Sequence, residues 1–291
     1  MVIAPPKSVE SHTKPLIIIL TLILVLCSCG PTSKAEPTPE GAKDFLKLRG
    51  YSFDEKSFLS ATEAGDVLAV KAFLLAGINP NAKDDGEGDT ALIRAATAGN
   101  LEMVNALLKG RADVNTKNKN GFGALSRALS HNHEEVAQTL IAQPGVDLNV
   151  TGANGASVLI VYVLRDREDV ATKLLERGVN VNLQDVDGDT ALHASVKTGN
   201  IKLLRLLLTK GAGVNTRNKM EATPLMWAGG YGQDEAARIL LENGADPKLK
   251  DAQGRTAADW ADDNGHHELG DWLRAKGKEG RAESKGVRAK G

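Results

Sequence analysis

The feature that most constrains the fold is a repeat of 33 or 34 residues that runs through most of the 291-residue chain. Seven units share a turn-forming position and, eight residues later, a large apolar position. The turn-forming position holds Gly65, Gly99, Asn132, Asp166, Gly199, Gly232 and Gly265, and the apolar position holds Phe73, Leu107, Leu140, Leu174, Leu207, Leu240 and Leu273. A period of this length predicts a solenoid, because a single unit buries its apolar face only against its neighbours.

Each unit predicts two short helices separated by a tight turn. A threonine such as Thr90 or Thr190 precedes the first helix, where its hydroxyl can cap free backbone N–H groups. The turn glycine supplies a left-handed backbone conformation that other residues adopt only at a cost. Apolar residues spaced as in Met103, Val104 and Leu107 then form one face of the second helix. Thin layers of this kind pack with Leu, Val and Ala, which agrees with an aromatic content of only 4%.

Three strings identify the repeat more closely. Asp89-Thr90-Ala91-Leu92, Asp189-Thr190-Ala191-Leu192-His193 and Thr223-Pro224-Leu225 resemble the Thr-Pro-Leu-His signature of ankyrin repeats. The resemblance covers about residues 51–277 and implies an all-α solenoid of about seven helix–turn–helix repeats with β-hairpin loops. An ankyrin-repeat domain is therefore predicted over 44–277, with a short capping helix over Lys43–Arg49 that ends at Gly50.

Several units depart from the pattern. Arg111 stands where the turn after the second helix usually has glycine, and Asn132 and Asp166 replace the glycine after the first helix. The fourth unit has Ser157-Val158-Leu159-Ile160 in place of the signature. Units two to four are therefore predicted to be less stable than units five and six.

The N-terminus predicts export. Leu16–Leu26 is an apolar run of eleven residues, about half of the roughly 20 that a membrane-spanning helix needs, and it follows a slightly basic segment, as in a signal peptide. The sequence Leu26-Cys27-Ser28-Cys29 resembles a bacterial lipobox. The resemblance implies a signal peptide over 1–28 and acyl chains on Cys29 that anchor the chain in a membrane. An ordinary secretory signal with incidental cysteines and an uncleaved anchor are the alternatives.

The segments next to the repeats are polar. Residues 29–43 contain Pro, Gly, Ser and Thr and predict a flexible tether. No aspartate follows Cys29 directly, which by the lipoprotein resemblance implies the outer membrane, with the protein facing the periplasm. Residues 278–291 predict a disordered basic tail. Residues 274–291 carry a net charge of +5 and residues 1–28 carry +1, so that the total of −1 leaves −7 for the body, residues 29–273. The tail is either simply solvated or in contact with anionic envelope polymers, and export argues against nucleic acid.

No catalytic motif is found in the sequence. It lacks a Gly-rich phosphate loop, a nucleophile elbow and a paired-histidine zinc helix. The cluster from His131 to Glu135 is interpreted as a polar turn, with metal binding as the alternative. Asp185, Asp187 and Asp189 imitate the start of a calcium loop, but Thr190 and Val196 stand where that loop needs Gly and Glu. We therefore predict a protein that is not an enzyme, with no cofactor and no metal.

In relatives of this family, partners bind the concave groove formed by hairpin tips and first helices. Trp, Tyr and Arg anchor many interfaces, and the groove columns of this chain contain several such residues. Trp227 and Trp260 occupy one column in adjacent repeats, where they either stack and line a patch or pack in the core. The predicted partner-binding residues are Arg94, Phe122, Arg127, His131, Arg165, Trp227, Tyr231 and Trp260.

These observations predict a membrane-tethered scaffold of the bacterial envelope. Its groove would hold a partner protein, either to stabilise or to inhibit it, and the chain itself is predicted to be a monomer. An accessory subunit of an envelope enzyme or transporter, and a structural spacer, are the alternatives.

Overall fold

The computed structural model describes residues 38–152 and 154–288, with side chains as far as Lys278. The predicted signal peptide and the acylated Cys29 lie outside the described residues. Contacts divide the chain into two structural units, each of which contains several repeats. The first structural unit ends at Val146 and the second starts at Asp147, and from here on "first unit" and "second unit" refer to these two. The first unit contains one capping helix and three helix pairs, and the second contains four helix pairs.

The described residues form fifteen helices and no β-sheet. They are α1 Pro39–Leu48, α2 Glu55–Glu63, α3 Val67–Leu75, α4 Ala91–Thr97, α5 Leu101–Lys109, α6 Ala124–Ser130, α7 Glu134–Ile141, α8 Val158–Leu164, α9 Glu168–Glu176, α10 Ala191–Thr198, α11 Ile201–Thr209, α12 Pro224–Gly230, α13 Asp234–Glu242, α14 Ala257–Asp263 and α15 His267–Arg288. Seven helix pairs, from α2–α3 to α14–α15, correspond to the seven repeats of the sequence. The predicted all-α repeat fold is therefore confirmed.

Four of the seven first helices begin after a threonine, as the signature predicts, whereas α2, α6 and α8 begin after Asp54, Gly123 and Ser157. The hydroxyl of Thr90 accepts the N–H of Ile93 at 3.3 Å, and Ser157 does the same for Ile160 at 3.3 Å in the unit that lacks threonine. Pro224 occupies the first turn of α12, where a backbone N–H would have no acceptor within the helix, so proline costs no helical hydrogen bond there. The loops before these helices are narrow hairpins, which in three cases are closed by a single antiparallel bridge between Lys83 and Thr90, Lys117 and Gly123, and Thr151 and Ser157.

Left-handed backbone occurs where the repeat pattern places it. The turn glycines have positive φ angles, for example 68° at Gly99. The substitutes Arg111, Asn132 and Asp166 hold the same conformation, with φ of 65°, 59° and 54°. Glu221 adds a fourth case at 60°, at a hairpin position that is glycine in other units. At each of these four residues the backbone holds a left-handed conformation that costs energy when the residue carries a Cβ.

Asparagines near the end of each repeat connect consecutive layers. In the first unit, Asn81 Oδ1 accepts the N–H of Asp113 at 2.8 Å. In the second unit, Asn182 Oδ1 accepts the N–H of Gly213 at 2.8 Å while its Nδ2 donates to the carbonyl of Gly211 at 3.1 Å. The equivalent Asn215 bonds Asp246 at 2.9 Å in the same way. These side chains satisfy loop backbone groups that no secondary structure pairs.

The ends of the repeat array differ from the sequence prediction. Helix α1 begins at Pro39, inside the segment predicted as tether, and buries Phe45 and Leu46. The Arg49 guanidinium then binds the Asp66 carboxylate at 2.7 Å, which joins α1 to the start of α3. At the other end, the last helix, α15, spans His267–Arg288. The disordered tail over 278–291 stays a prediction from composition.

Candidate partner-binding surface

In the first unit, Arg94 is held by two carboxylates. Its guanidinium lies 3.0 Å from Glu63 Oε2 and 3.0 Å from Asp84 Oδ2, beside a cleft of about 470 Å³. Burial alone raises the pKa of Asp84, but the hydrogen bonds from Arg94 and from the Gly88 N–H outweigh it and lower the pKa below its ordinary value. The structure therefore gives Arg94 an internal role in joining α2, the first hairpin and α4.

Arg127 and Phe122 form a cation–π contact in the same unit. The guanidinium of Arg127 lies 5.0 Å from the centre of the Phe122 ring and 3.2 Å from Glu87 Oε2. Its Nε is buried and finds no acceptor among the described residues. Both side chains are half-buried, so they present a cationic and aromatic edge rather than two independent exposed groups.

His131 and His133 stack at the end of α6. Their rings are nearly parallel, with centroids 6.1 Å apart. His131 is exposed and bonds the carbonyl of Arg127 at 3.0 Å, whereas His133 faces the carbonyl of Thr97 at 3.0 Å. In the part of the chain that the structure describes, no three His, Cys, Asp or Glu side chains converge as a metal site requires.

In the second unit, Trp227 is half-buried between two aromatic neighbours. Its ring makes edge contacts with His193 at 5.5 Å and with Tyr231 at 5.9 Å between centroids. The indole Nε1 is buried and has no acceptor among the described residues. Tyr231 is 48% exposed. One side of the Trp227 ring thus packs against buried His193, and the other side contacts Tyr231, which is exposed to solvent.

His193 packs against Trp227 on the buried side of this cluster. It is fully buried, with Nδ1 3.0 Å from the Thr190 hydroxyl and Nε2 3.2 Å from the carbonyl of Ala222. Burial disfavours the charged ring and lowers the pKa of His193 to about 4. A neutral imidazole at this position links the first helix of one repeat to the hairpin of the next.

Trp260 is fixed by a different network. Its Nε1 donates to Asp251 Oδ2 at 2.8 Å, and the same oxygen accepts from Arg255 at 2.9 Å. The Arg255 guanidinium also lies 5.2 Å from the Trp260 ring centre. The far side of the ring packs so close to Gly230 that a Cβ there would lie 3.0 Å from Cε3. Trp227 and Trp260 therefore share a column without ring contact.

The remaining predicted residue, Arg165, lies half-buried with its guanidinium 5.9 Å from the Tyr162 ring centre. The sequence analysis missed two exposed apolar side chains of the same unit, Leu164 at 43% and Val186 at 50%. The sequence positions of these residues could have identified them. Leu164 stands beside a groove column and Val186 at a hairpin tip, and neither position contributes to the core, so an apolar residue there is exposed. Met220, at the next hairpin tip, is exposed to a similar extent, 48%.

The aspartates that imitate a calcium loop are hairpin groups. Asp185 Oδ1 accepts the N–H groups of Asp187 and Asp189, each at 2.9 Å. Asp189 accepts from the Asn218 side chain at 2.9 Å, and burial raises the pKa of the Asp189 carboxyl. These contacts account for the residue types without a bound cation.

Comparison with known proteins fixes the family. The family model for ankyrin repeats matches three times, over residues 58–152, 159–251 and 213–283. The chain is an ankyrin-repeat protein. Ankyrin-repeat proteins are in general protein-interaction scaffolds without catalytic activity, and the role of protein binding follows from this membership.

Relatives of this ankyrin-repeat protein are partial matches. An ankyrin repeat-containing protein of Treponema pallidum (strain Nichols) is 32% identical over 135 residues, which cover 46% of this chain and 44% of that protein. The 2-5A-dependent ribonuclease of Mus musculus is 36% identical over 85 residues, or 29% of this chain and 12% of that protein. The chain thus spans less than half the length of these curated relatives.

One solved structure shows the same fold. The ankyrin repeat domain of Bcl-3, a member of the IkappaB protein family, matches with a TM-score of 0.55 and 24% identity. The match covers 73% of this chain and 96% of that one. Within residues 38–152 and 154–288, no helix is both long and apolar enough to cross a membrane.

Proposed function

We propose that this ankyrin-repeat protein is a membrane-tethered, non-enzymatic scaffold of the bacterial envelope that holds a partner protein on its second unit. The observation that carries the proposal is the cluster of Trp227 and Tyr231. An aromatic side chain that is anchored on one edge and exposed beside a second aromatic is typical of an interface anchor, since it adds contact area at little entropic cost.

The distribution of exposed apolar side chains supports the second unit as the binding region. Four of the six large apolar side chains that are exposed among the described residues belong to it, namely Leu164, Val186, Met220 and Tyr231. They lie at first-helix ends and hairpin tips, the elements that form the partner-binding side of ankyrin proteins. In the first unit, the predicted arginines are instead engaged by Glu63, Asp84 and Glu87.

A non-enzymatic role is part of the proposal because the polar side chains of this region hold the fold together. His193 bridges two repeats, and Asp251 orients Trp260 and Arg255. The buried carboxylate of Asp251 has a lowered pKa: burial raises it, but the hydrogen bonds from Arg255 and Trp260 outweigh that effect. Groups that are engaged in this way stabilise structure rather than transfer protons.

The tether is inferred from sequence. Ser28 directly precedes Cys29 and Leu26 lies three residues before it, which fits lipid attachment at Cys29. Gly30 at the following position, where an aspartate is absent, fits the outer membrane with a periplasmic orientation. Mass spectrometry of the N-terminus tests this part. A diacylated, N-acylated peptide starting at Cys29 is expected, and an unmodified Cys29 or cleavage elsewhere contradicts it.

Site-specific crosslinking tests the binding part. A photoreactive amino acid at Tyr231 is expected to crosslink one defined protein in cells. The same group at Phe53, which is 40% exposed in the first unit, serves as the matched control. Crosslinks of equal pattern from both positions, or none from Tyr231, would contradict a binding surface around Trp227.

A further inference from the structure

The N-terminal end of the described chain carries exposed apolar side chains. Six large apolar side chains are exposed among the described residues, and the two in the first unit are Leu48 and Phe53. Leu48 is the most exposed of the six, at 59%, although α1 buries Ala42, Phe45 and Leu46. The packing of α1 against the repeats therefore does not account for a leucine at position 48.

Two lysines accompany these apolar side chains. Phe53 stacks on buried Phe73 with ring centroids 6.2 Å apart, and it remains 40% exposed. Lys43 on α1 lies over the Phe53 ring, with its Nζ 5.1 Å from the ring centre. Lys47 follows one turn later on the same exposed side of α1 and directly precedes Leu48. We refer to Lys43, Lys47, Leu48 and Phe53 as the α1 surface.

The charges around the α1 surface are nearly balanced. Arg49, the residue after Leu48, is held by Asp66 at 2.7 Å. The exposed charged residues on α1 and at the start of α2 are the acidic Glu40, Asp44, Asp54 and Glu55 and the basic Lys43, Lys47 and Lys56. Exposed Leu and Phe side chains that are accompanied by lysines fit the boundary between lipid headgroups and acyl chains, where the apolar groups are buried and the lysine stems reach the phosphates.

The length of the chain before α1 determines how far the α1 surface can lie from the proposed anchor. Nine residues lead from Cys29 to Thr38, the first described residue, and a segment of this length spans at most about 32 Å. Helix α1 adds about 14 Å between Pro39 and Leu48. An acylated Cys29 would therefore keep the α1 surface close to the bilayer, where even a weak contact is effectively intramolecular.

We propose that the α1 surface binds the lipid bilayer. The inference rests on the proposed tether, which makes the bilayer the surface that α1 meets in every copy of the chain. Leu48 and Phe53 enter the boundary between headgroups and acyl chains, and Lys43 and Lys47 reach the phosphates. The contact orients the first unit on the membrane, and because the nearby charges balance, it requires no anionic lipid.

Quenching by labelled lipid tests this contact. A fluorescent amino acid replaces Leu48 in the full, unprocessed chain, made by cell-free synthesis, in which the apolar run Leu16–Leu26 binds vesicles whether or not Cys29 is acylated. Emission is compared between phosphatidylcholine vesicles with and without bromine on the upper acyl carbons. Emission from position 48 is expected to be about twofold lower with bromine, because the side chain lies at that depth. The same amino acid at Leu164, 43% exposed in the second unit, is expected to show no difference.

Two matched substitutions test whether the side chains act as one surface. With the fluorescent amino acid at Phe53, Leu48→Gln is expected to reduce the quenching about twofold, because the amide does not enter the bilayer. Leu164→Gln removes a similarly exposed leucine in the second unit and is expected to leave the quenching unchanged. Both leucines are exposed, so neither substitution removes core packing.

The outcomes separate the possible occupants. Absence of quenching at position 48, equal quenching at positions 48 and 164, or equal effects of the two Gln substitutions would overturn the proposal. Emission from position 48 that shifts to shorter wavelengths as the chain concentration rises without vesicles would assign the surface to a second copy, and would overturn it as well. An unmodified Cys29 would remove the proposed tether while leaving the quenching unaffected, so the two proposals fail independently.

Discussion

Gly229 on α12 faces the backbone carbonyl of Ala257 on α14 so closely that a Cβ on Gly229 would collide with the oxygen. The adjacent Gly230 leaves room for the Trp260 ring in the same way. Two consecutive glycines at the end of a helix therefore set the spacing between two repeats. They also determine how deeply Trp260 is seated.

We expect Gly229→Ala to destabilise the second unit by about 1–3 kcal/mol, because the carbonyl of Ala257 belongs to a packed helix that cannot move away. Denaturant unfolding followed by circular dichroism measures the change. Gly277→Ala is the control, since a Cβ there has only Pro247 at 4.0 Å and alanine favours the helix. Equal stability of Gly229→Ala and wild type would contradict the close approach.

Arg111 holds a left-handed conformation with φ of 65°. Replacement by glycine removes this strain, so Arg111→Gly is expected to raise the free energy of unfolding by about 1 kcal/mol. Lys109→Gly, two residues earlier in right-handed helix α5, is expected to lower it by about as much. The same sign for both variants in urea unfolding would show that local strain at Arg111 is absent.

The sequence predicts the left-handed turn residues well, because in a repeat any residue that replaces a recurring glycine can be recognised by comparing the repeats with one another. Arg111, Asn132 and Asp166 occupy positions that are glycine in neighbouring units, and all three have positive φ. The helix pairs follow from the same register. Glu221 follows the same rule at a hairpin position, because the equivalent residues Gly188 and Gly254 also have positive φ.

The surface was harder to predict, since it depends on the directions of side chains. Sequence columns place Trp227 and Trp260 together, yet their rings contact different groups, His193 and Tyr231 for the first and Arg255 for the second. The interaction of Trp260 with Asp251 joins residues nine positions apart through a hairpin that no periodicity describes. Likewise, the sequence placed Arg94 among the partner-binding residues, but its carboxylate partners Glu63 and Asp84 lie 31 and 10 residues away.

The buried imidazole of His193 makes stability depend on pH. Its pKa is lowered to about 4, while the unfolded chain takes up the proton near 6.5, so the unfolded state binds more protons between these values. The unfolding free energy is therefore expected to fall by roughly 3 kcal/mol as pH drops from 6.5 to 4, at about 1.4 kcal/mol per unit. The contribution is fully present above pH 6.5.

Nuclear magnetic resonance of the imidazole Cε1 proton measures this directly. The His193 resonance, assigned with His193→Gln, is expected to remain that of a neutral ring at pH 5. A His193 ring that titrates between pH 6 and 7 in the folded chain would contradict the buried, neutral state.

Trp260→Phe is expected to destabilise the second unit by about 1–3 kcal/mol, because Asp251 then loses its indole donor. The Asp251 side chain is fully buried and accepts from Arg255 as well, so Asp251→Ala is expected to cost more, about 3 kcal/mol. Thermal and urea unfolding of both variants check the order. If Trp260→Phe proves at least as stable as wild type, the network does not hold the tryptophan.

The central claim is that the surface around Trp227 binds a protein. Its most direct measurement is calorimetric titration of the partner that crosslinks at Tyr231 with wild type, Tyr231→Ala and Phe53→Ala. We predict a loss of affinity of at least tenfold for Tyr231→Ala, about 1.4 kcal/mol or more, with an unchanged unfolding midpoint. Phe53→Ala is predicted to bind within twofold of wild type, and equal affinity of all three proteins would contradict the claim.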